Sequence, residues 1–462
     1  MRYVSTRGSA PTLGFADVLL AGLADDGGLY VPESWPTLPP TWREAAERGY
    51  AAAAVEVMWP FVEGALDRAT FEAIVADAYA CFDTPEVVPL VPLDGDVYLA
   101  ELYRGPTLAF KDVALQLVGR LFDHELARRG GRVTVLGATS GDTGSAAIEA
   151  LRDRAAVDCV ILHPHGRVSE VQRRQMTTVD APNVFNVAVE GTFDDCQDLV
   201  KAAFADGAFR DAVHLTAVNS INWARVMAQI VYYVTTAAIF GGRPVRFVVP
   251  TGNFGNVYAG WGARAMGLPV ERLVVASNRN DILTRAFHTG TMALDGVVPT
   301  LSPSMDIQVS SNFERLLFEL AGRDGAATAA QLARFRTAGS VELTEAQRRG
   351  IDTHFEAARC DDEGTLAVIR DVHDRHGLLV DPHTAVGIAA ARSVPGPAGT
   401  PTIVLATAHP AKFPDAVERA TGVRPALPDR LADLFERPER CTTLPNDLAA
   451  VERFVSAAVR TN

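Results

Sequence analysis

The sequence predicts an α/β protein whose parallel-sheet domains follow a small, mainly helical N-terminal domain. Two observations carry this. From Val97 onward, short apolar runs recur and alternate with helical patterns. Before about residue 95, helical patterns dominate instead, set off from the N-terminal segment by Pro-rich turns such as Pro36 to Pro40.

Residues 44–59 and 67–82 carry helical periodicity. Residues 97–103 read as a strand and 112–128 as a helix, then 133–136 as a strand and 144–154 as a helix. Strands are expected at 159–162 and 184–189, and helices at 193–204, opened by Asp194 and Asp195 as capping residues, and at 223–240. A strand at 245–249, a helix from about Gly255, and apolar runs at 273–276 and 403–405 complete the series. Short strands of near-continuous apolar character are buried on both faces, which indicates parallel pairing covered by helices. Such sheets bind ligands at the carboxyl ends of their strands. About 290–375 is more polar and reads as an insertion, and the expected division is 1–95, 96–240 and 241–462.

Composition bounds the function. The chain has 462 residues, 48% of them hydrophobic, enough for two or three domains. A formal net charge of −13 argues against nucleic acid and anionic membrane as partners, while local cations can still hold a small anion. The five cysteines include no C-x-x-C pair, so neither a disulfide framework nor a zinc ribbon is expected. The N-terminus lacks the apolar run of a signal peptide, and the apolar stretch 230–240 is shorter than the roughly 20 residues a membrane span needs. A soluble, cytoplasmic protein is expected, as monomer or homodimer.

Four segments hold unusual chemistry. In V-T-V-L-G-A-T-S-G-D-T-G, a strand ends in a turn made of Thr139, Ser140, Gly141, Asp142 and Thr143 before a helix begins. Its backbone N–H groups and helix dipole suit a carboxylate or phosphate, although an ordinary capped turn reads the same way. In V-R-F-V-V-P-T-G-N-F-G-N the logic repeats through Gly252, Asn253, Phe254, Gly255 and Asn256. This second turn matches neither the Walker pattern nor the dinucleotide fingerprint, which disfavours a nucleotide enzyme. In E-L-Y-R-G-P-T-L-A-F-K-D, Lys111 follows a Gly-Pro turn and an apolar stretch. An apolar setting lowers the lysine pKa and makes the amine nucleophilic. A surface lysine paired with Asp112 is the competing reading. In T-I-V-L-A-T-A-H-P-A-K-F, Thr407 lies just past a buried strand, where a simple cap is also compatible.

Together with Y-V-S-T-R-G, G-L-A-D-D-G-G-L-Y-V-P, N-S-I-N-W-A-R, S-N-R-N-D-I-L, S-M-D-I-Q-V-S-S-N-F-E-R and D-P-H-T-A-V-G, these blocks make the whole chain resemble the threonine synthase family. That family lies within the fold-type II, tryptophan synthase β-like enzymes that use pyridoxal 5′-phosphate (PLP). The resemblance implies that Lys111 holds PLP as a Schiff base. It implies that the turn 252–256 takes the cofactor phosphate and that Thr407 faces the pyridine nitrogen. It further implies that the turn 139–143 takes the substrate α-carboxylate. The implied reaction converts O-phospho-L-homoserine and water to L-threonine and phosphate. Related phospho-lyases giving 2-oxobutyrate, ammonia and phosphate, or β-replacement enzymes, are the alternative. The leaving phosphate needs cations, and Arg225 and Arg315 are the chosen candidates, with Arg7 and Lys412 in reserve. Two departures stand out: Arg104 where family members often have His, and Asn256 where they often have Asp. His163 with His165, and His373 with His376 near Asp361, Asp362 and Glu363, lack a third metal ligand at suitable spacing, so no metal is expected. His409 is read as a residue that hydrogen-bonds its own loop.

Overall fold

The computed structural model describes residues 1–460; the final two residues of the expected third part, 461–462, lie outside it. The N-terminal part is helical with a small sheet added. Strand Arg2–Ser5 lies between Leu13–Gly14 and Tyr30–Pro32, antiparallel to both. The single helix expected at 44–59 is broken in two, Trp42–Glu47 and Tyr50–Val62, because Gly49 between them adopts a φ of +117°. The next helix, Arg68–Tyr79, starts where Asp67 accepts from the Thr70 N–H at 2.9 Å.

Two parallel sheets form the body. The larger has six strands in the order Phe355–Arg359, Val270–Ser277, Val245–Pro250, Thr402–Ala406, Val97–Glu101 and Leu90–Asp94. Only its last edge strand is antiparallel. The smaller has five parallel strands in the order Thr442–Pro445, Val184–Glu190, Val157–Pro164, Val133–Ala138 and Leu215–Thr216. The central strands Val157–Pro164 and Val245–Pro250 are buried along their whole length, which explains their apolar sequences.

The sheets are not built from contiguous stretches. Val97–Glu101 pairs with Thr402–Ala406, and Thr442–Pro445 pairs with Val184–Glu190. The chain therefore crosses to the smaller sheet after Glu101, returns between Thr216 and Val245 and crosses again after Ala406, whereas the expected boundary at 95 falls between two strands of the larger sheet. The polar stretch 290–375 is likewise not separate, since Phe355–Arg359 is a strand of the larger sheet. The expected helix opening at 193–204 is Phe193–Ala205, capped by Thr192, whose hydroxyl and N–H exchange hydrogen bonds with Asp195.

The long helix Trp223–Ala238 joins the parts. Trp223 is fully buried and its ring meets Tyr3, Trp35 and Phe61 of the N-terminal part. Truncating such a residue costs about 3–5 kcal/mol. This packing fixes the helix end that carries Arg225.

Candidate active site

Lys111 opens the helix Lys111–Arg129, at the end where the helix dipole disfavours a cation. It is 8% exposed. Its Nζ lies 3.1 Å from Asp142 Oδ2 and 5.0 Å from the Phe110 ring centroid. Burial lowers its pKa, with Asp142 pulling the other way and Lys412 and Arg225 adding to the lowering. The competing surface pair with Asp112 is absent. Asp112 instead accepts from Thr107 N at 2.8 Å and Thr107 Oγ1 at 2.6 Å, and burial pushes its carboxyl up to about 6. Gly105 permits this turn, because a Cβ there would sit 2.4 Å from Asp112 Cβ.

The first glycine-rich turn links strand Val133–Ala138 to helix Asp142–Leu151. Thr139 Oγ1 accepts from Gly141 N at 2.9 Å and Gly144 N at 2.8 Å, so its side chain folds the turn. Gly141 has a φ of +138°, and a Cβ on it would meet the Gln172 side chain at 2.5 Å. The first amides of a helix have no intrahelical acceptor. Those of Asp142 and Thr143, together with the amide of Ser140 just before the helix, which has no acceptor among the described residues, are the ones left for an anion. The Asp142 side chain is turned to cations: Lys111, Lys412 Nζ at 3.0 Å and the donors Gln172 Nε2 at 2.8 Å and Ser304 Oγ at 3.1 Å. Burial would raise its carboxyl, but Lys111, Lys412 and His383 outweigh that and hold it well below the usual carboxylate range.

The second turn links strand Val245–Pro250 to helix Gly255–Ala265. Phe254 caps the helix in a left-handed conformation, φ +62°, held by its buried ring against Phe287, Phe313 and Phe355. A Cβ on Gly252 would lie 2.9 Å from Ile307 Cδ1, and one on Gly255 would lie 3.2 Å from Asn312 Nδ2. Asn253 O accepts from Asn312 N at 3.0 Å, and Gly252 O accepts from Ser310 Oγ at 2.7 Å. Asn256 Oδ1 accepts from the hydroxyls of Tyr232 at 2.6 Å and Tyr233 at 2.9 Å, so the neutral residue found where family members often carry Asp is anchored by two phenols.

Thr407 follows strand Thr402–Ala406. Its carbonyl accepts from Phe110 N at 2.9 Å, which brings it beside the Lys111 turn. Its hydroxyl has no hydrogen-bond partner among the described residues. His409 bonds its own loop as expected, with Nδ1 accepting from Ala411 N at 3.1 Å.

The candidate cations divide sharply. Arg7 is bound by Glu314, with Nη2 at 2.9 Å from Oε2 and Nε at 3.0 Å from Oε1. Lys412 is fully buried and committed to Asp142, Thr107 O and Gln175 Oε1. Arg104 pairs with Glu101 and Asp83. Arg315 is a correction to the expected substrate cation. Its guanidinium donates to the Tyr30 carbonyl at 2.9 and 3.2 Å, to the Ile221 carbonyl at 2.6 Å and to Asn312, so it braces three segments. Arg225 differs from all of these. It is buried, donates to Val218 O at 3.2 Å and leaves Nε without an acceptor; like Arg315, it has no carboxylate in ion-pairing range among the described residues. Burial lowers its pKa to about 10.

Gln172, Ser304, Asn312, Tyr232 and Tyr233 were not foreseen as parts of the site. Gln172 had a local signal: Ser169-x-x-Gln172 is a helix-capping pattern, and Ser169 does cap helix Glu170–Thr177. Ser304 and Asn312 lie in the motif Ser304–Arg315, from which only Arg315 was singled out. His383 supports Ser304: its Nε2 accepts from Ser304 N at 3.3 Å while Nδ1 faces Asp381 at 2.6 Å. Of the other histidines, His163 lies 3.6 Å from Cys441 Sγ and His376 lies 3.3 Å from Asp94. No cluster of three or more potential metal ligands occurs among the described residues.

The residues present fit PLP. A buried lysine of lowered pKa stands against the first turn, two turns offer helix amides, and Arg225 Nε and Asn256 Nδ2 are buried donors without acceptors. An unpaired buried cation is strongly unfavourable, and an anion would remove that penalty. Parallel sheets with this lysine and these strand ends define a fold-type II PLP enzyme. The pyridoxal-phosphate-dependent enzyme family matches residues 85–407. The threonine synthase N-terminal and C-terminal families match residues 2–79 and 384–455. Threonine synthase from Pseudomonas aeruginosa is 55% identical over 99% of this chain and 98% of its own. That from Corynebacterium glutamicum is 44% identical over 99% of each. The crystal structure of PLP-bound threonine synthase from Brucella melitensis superposes with a TM-score of 0.97 at 50% identity, covering 100% of both chains. The chain belongs to the threonine synthase family.

Proposed function

We propose that this enzyme converts O-phospho-L-homoserine and water to L-threonine and phosphate, with PLP joined to Lys111 Nζ. The observation that carries the reading is Arg225, a buried cation without a counter-charge whose Nε lacks an acceptor, close enough to a buried, pKa-lowered lysine to influence it. It supports a substrate bearing a phosphate in addition to the cofactor's own. The turn of Gly252, Asn253, Phe254, Gly255 and Asn256 would hold the cofactor phosphate, and the Thr407 hydroxyl would face its ring nitrogen. When bound, PLP supplies an electron sink for charge left on the substrate's α and β carbons.

The chain's own residues supply the rest. Lys111 Nζ acts as the base that takes a proton from the substrate's α carbon and then from its β carbon, since burial favours its neutral form. The amides of Ser140, Asp142 and Thr143 receive the α-carboxylate, while Thr139 and Gly141 shape that turn. Arg225 holds the substrate phosphate and stabilises it as it leaves the γ carbon. Water then adds at the β carbon. A cytoplasmic site of action belongs to the same proposal, supported by the thiols of Cys159, Cys196 and Cys360, which are free and buried.

Two measurements test this. Incubation with O-phosphohomoserine should release threonine and phosphate in equal amounts; 2-oxobutyrate with ammonia would establish the phospho-lyase instead. Borohydride reduction should fix the cofactor on the peptide containing Lys111, and label on another lysine would overturn that assignment.

A further inference from the structure

Lys111 and Lys412 share one carboxylate, Lys111 at 3.1 Å from Asp142 Oδ2 and Lys412 at 3.0 Å from Oδ1. Their situations differ. Lys412 donates to Thr107 O at 2.7 Å and Gln175 Oε1 at 3.0 Å and ion-pairs with Asp142, which fixes it in place. Lys111 has Asp142 as its one hydrogen-bonding partner among the described residues. An aspartate in a turn that offers amides to an anion would repel that anion unless its own charge were cancelled. Here Lys111, Lys412, Gln172 and Ser304 surround it.

We propose that Asp142 is the positioning residue for the Lys111 amine. It holds that amine against the first turn whenever the amine is not bonded to the cofactor, while Lys412, permanently paired with the other oxygen, shares the charge and keeps Lys111 from being locked as an ammonium. The inference rests on the reading of Lys111 as the cofactor lysine. The charged groups around Lys111 come from four elements. They are Asp142, Lys412, Arg225 and, on its own helix, Asp112, which is turned to Thr107. His383 reaches Asp142 from a fifth, with Nε2 occupied by Ser304 N and Nδ1 by Asp381.

The signs follow from that arrangement. Removing the Asp142 charge leaves Lys111 facing two cations, so its amine gives up its proton at lower pH. Removing the Lys412 charge gives Lys111 the whole carboxylate and one repelling cation fewer, so the proton is kept to higher pH. A merely structural loosening of the turn would move both variants the same way, toward the ordinary lysine value.

The test uses the full-length chain freed of cofactor. The rate at which an amine-reactive acylating reagent labels Lys111 is followed against pH by peptide mass spectrometry. Asp142→Asn, nearly isosteric, should lower the labelling midpoint by about one pH unit or more, the size expected for losing an opposite charge at this range. Lys412→Met should raise it, and Lys412→Gln, which keeps a donor for the Thr107 carbonyl, replaces Met if the latter does not fold. An unmoved midpoint in Asp142→Asn, or the same direction of movement in both, overturns the proposal. Added PLP should protect Lys111 in the parent chain; failure of protection would instead remove Lys111 as the cofactor lysine, which keeps the two failures apart.

Discussion

The two glycine-rich turns share one sequence logic, a buried strand running through glycines into a helix, yet they are built in opposite ways. The first braces itself: Thr139 Oγ1 gathers Gly141 N and Gly144 N, and Asp142, two residues before Gly144, carries the charge that holds two lysines. The second is braced from outside. Ser310 and Asn312 hold its carbonyls, Tyr232 and Tyr233 hold Asn256, and Phe254 is clamped in a left-handed conformation by buried rings. A self-braced, charged turn suits a ligand that enters and leaves in each cycle. A turn pinned by distant segments suits a resident group whose position must not vary.

The largest effect that can break this comparison lies in the second turn. Gly255→Leu would drive carbon into Asn312, which is only 3.2 Å from the position of a Cβ. The displaced segment is the one that braces the turn. Cofactor affinity should fall at least about tenfold, as more than 1.4 kcal/mol of overpacking is expected, and the visible absorbance retained after gel filtration reports it. Unchanged retention would mean that the cofactor phosphate sits elsewhere.

The next effect separates two neighbours in the first turn. Thr139→Ala strips the acceptor from two buried amides, and each buried group left unsatisfied costs about 1–3 kcal/mol. Thr139→Ser restores the acceptor and should recover most of the loss. Ser140→Ala removes a hydroxyl with no protein partner among the described residues. If it serves the substrate carboxylate, kcat/KM should fall roughly tenfold to hundredfold, as expected for 1.5–3 kcal/mol. Thr139→Ala should fall further. Both variants should keep their cofactor; its loss from either would erase the division of labour between the turns.

Much of this site was legible in the sequence because its backbone requirements are local. Gly141 is required by its own backbone, at φ +138°, and Lys111 is marked by its apolar neighbours, while Gly252 and Gly255 also make room for Ile307 and Asn312 of a distant segment. What was not legible depends on where side chains from distant segments arrive. Arg225 and Arg315 stand in equally recognisable motifs, and burial lowers both to about 10. Only the positions of Tyr30 O and Ile221 O reveal that Arg315 is already occupied. Asp142 was read as part of a backbone cradle, whereas its side chain serves lysines from two other strand ends. The edge strands Phe355–Arg359 and Thr442–Pro445 escaped notice because their sequences, F-E-A-A-R and T-T-L-P, lack the continuous apolar character of central strands.

The smallest effect concerns the turn just past the third strand end, which reaches the first turn through Lys412. His409 Nδ1 accepts from Ala411 N at 3.1 Å, and this shapes the short turn that delivers Lys412 to Asp142. Burial, with the charges of Arg104 and Arg430, lowers the ring's pKa from 6.5 to about 4. The folded chain therefore keeps the ring neutral over a range where the unfolded chain takes up a proton. Stability contributed by that neutral ring is complete above pH 6.5 and declines as pH falls toward 4, levelling off below. At about 1.4 kcal/mol per unit the loss is at most about 3.5 kcal/mol. His409→Asn keeps an acceptor for Ala411 N and cannot titrate, so its urea midpoint should fall less than the parent's between pH 7 and 5. Because the turn reaches Asp142 and not Gly252–Asn256, acidification should raise KM for the phosphorylated substrate before it releases cofactor. Cofactor loss at or before the rise in KM would show that the two turns are not served independently.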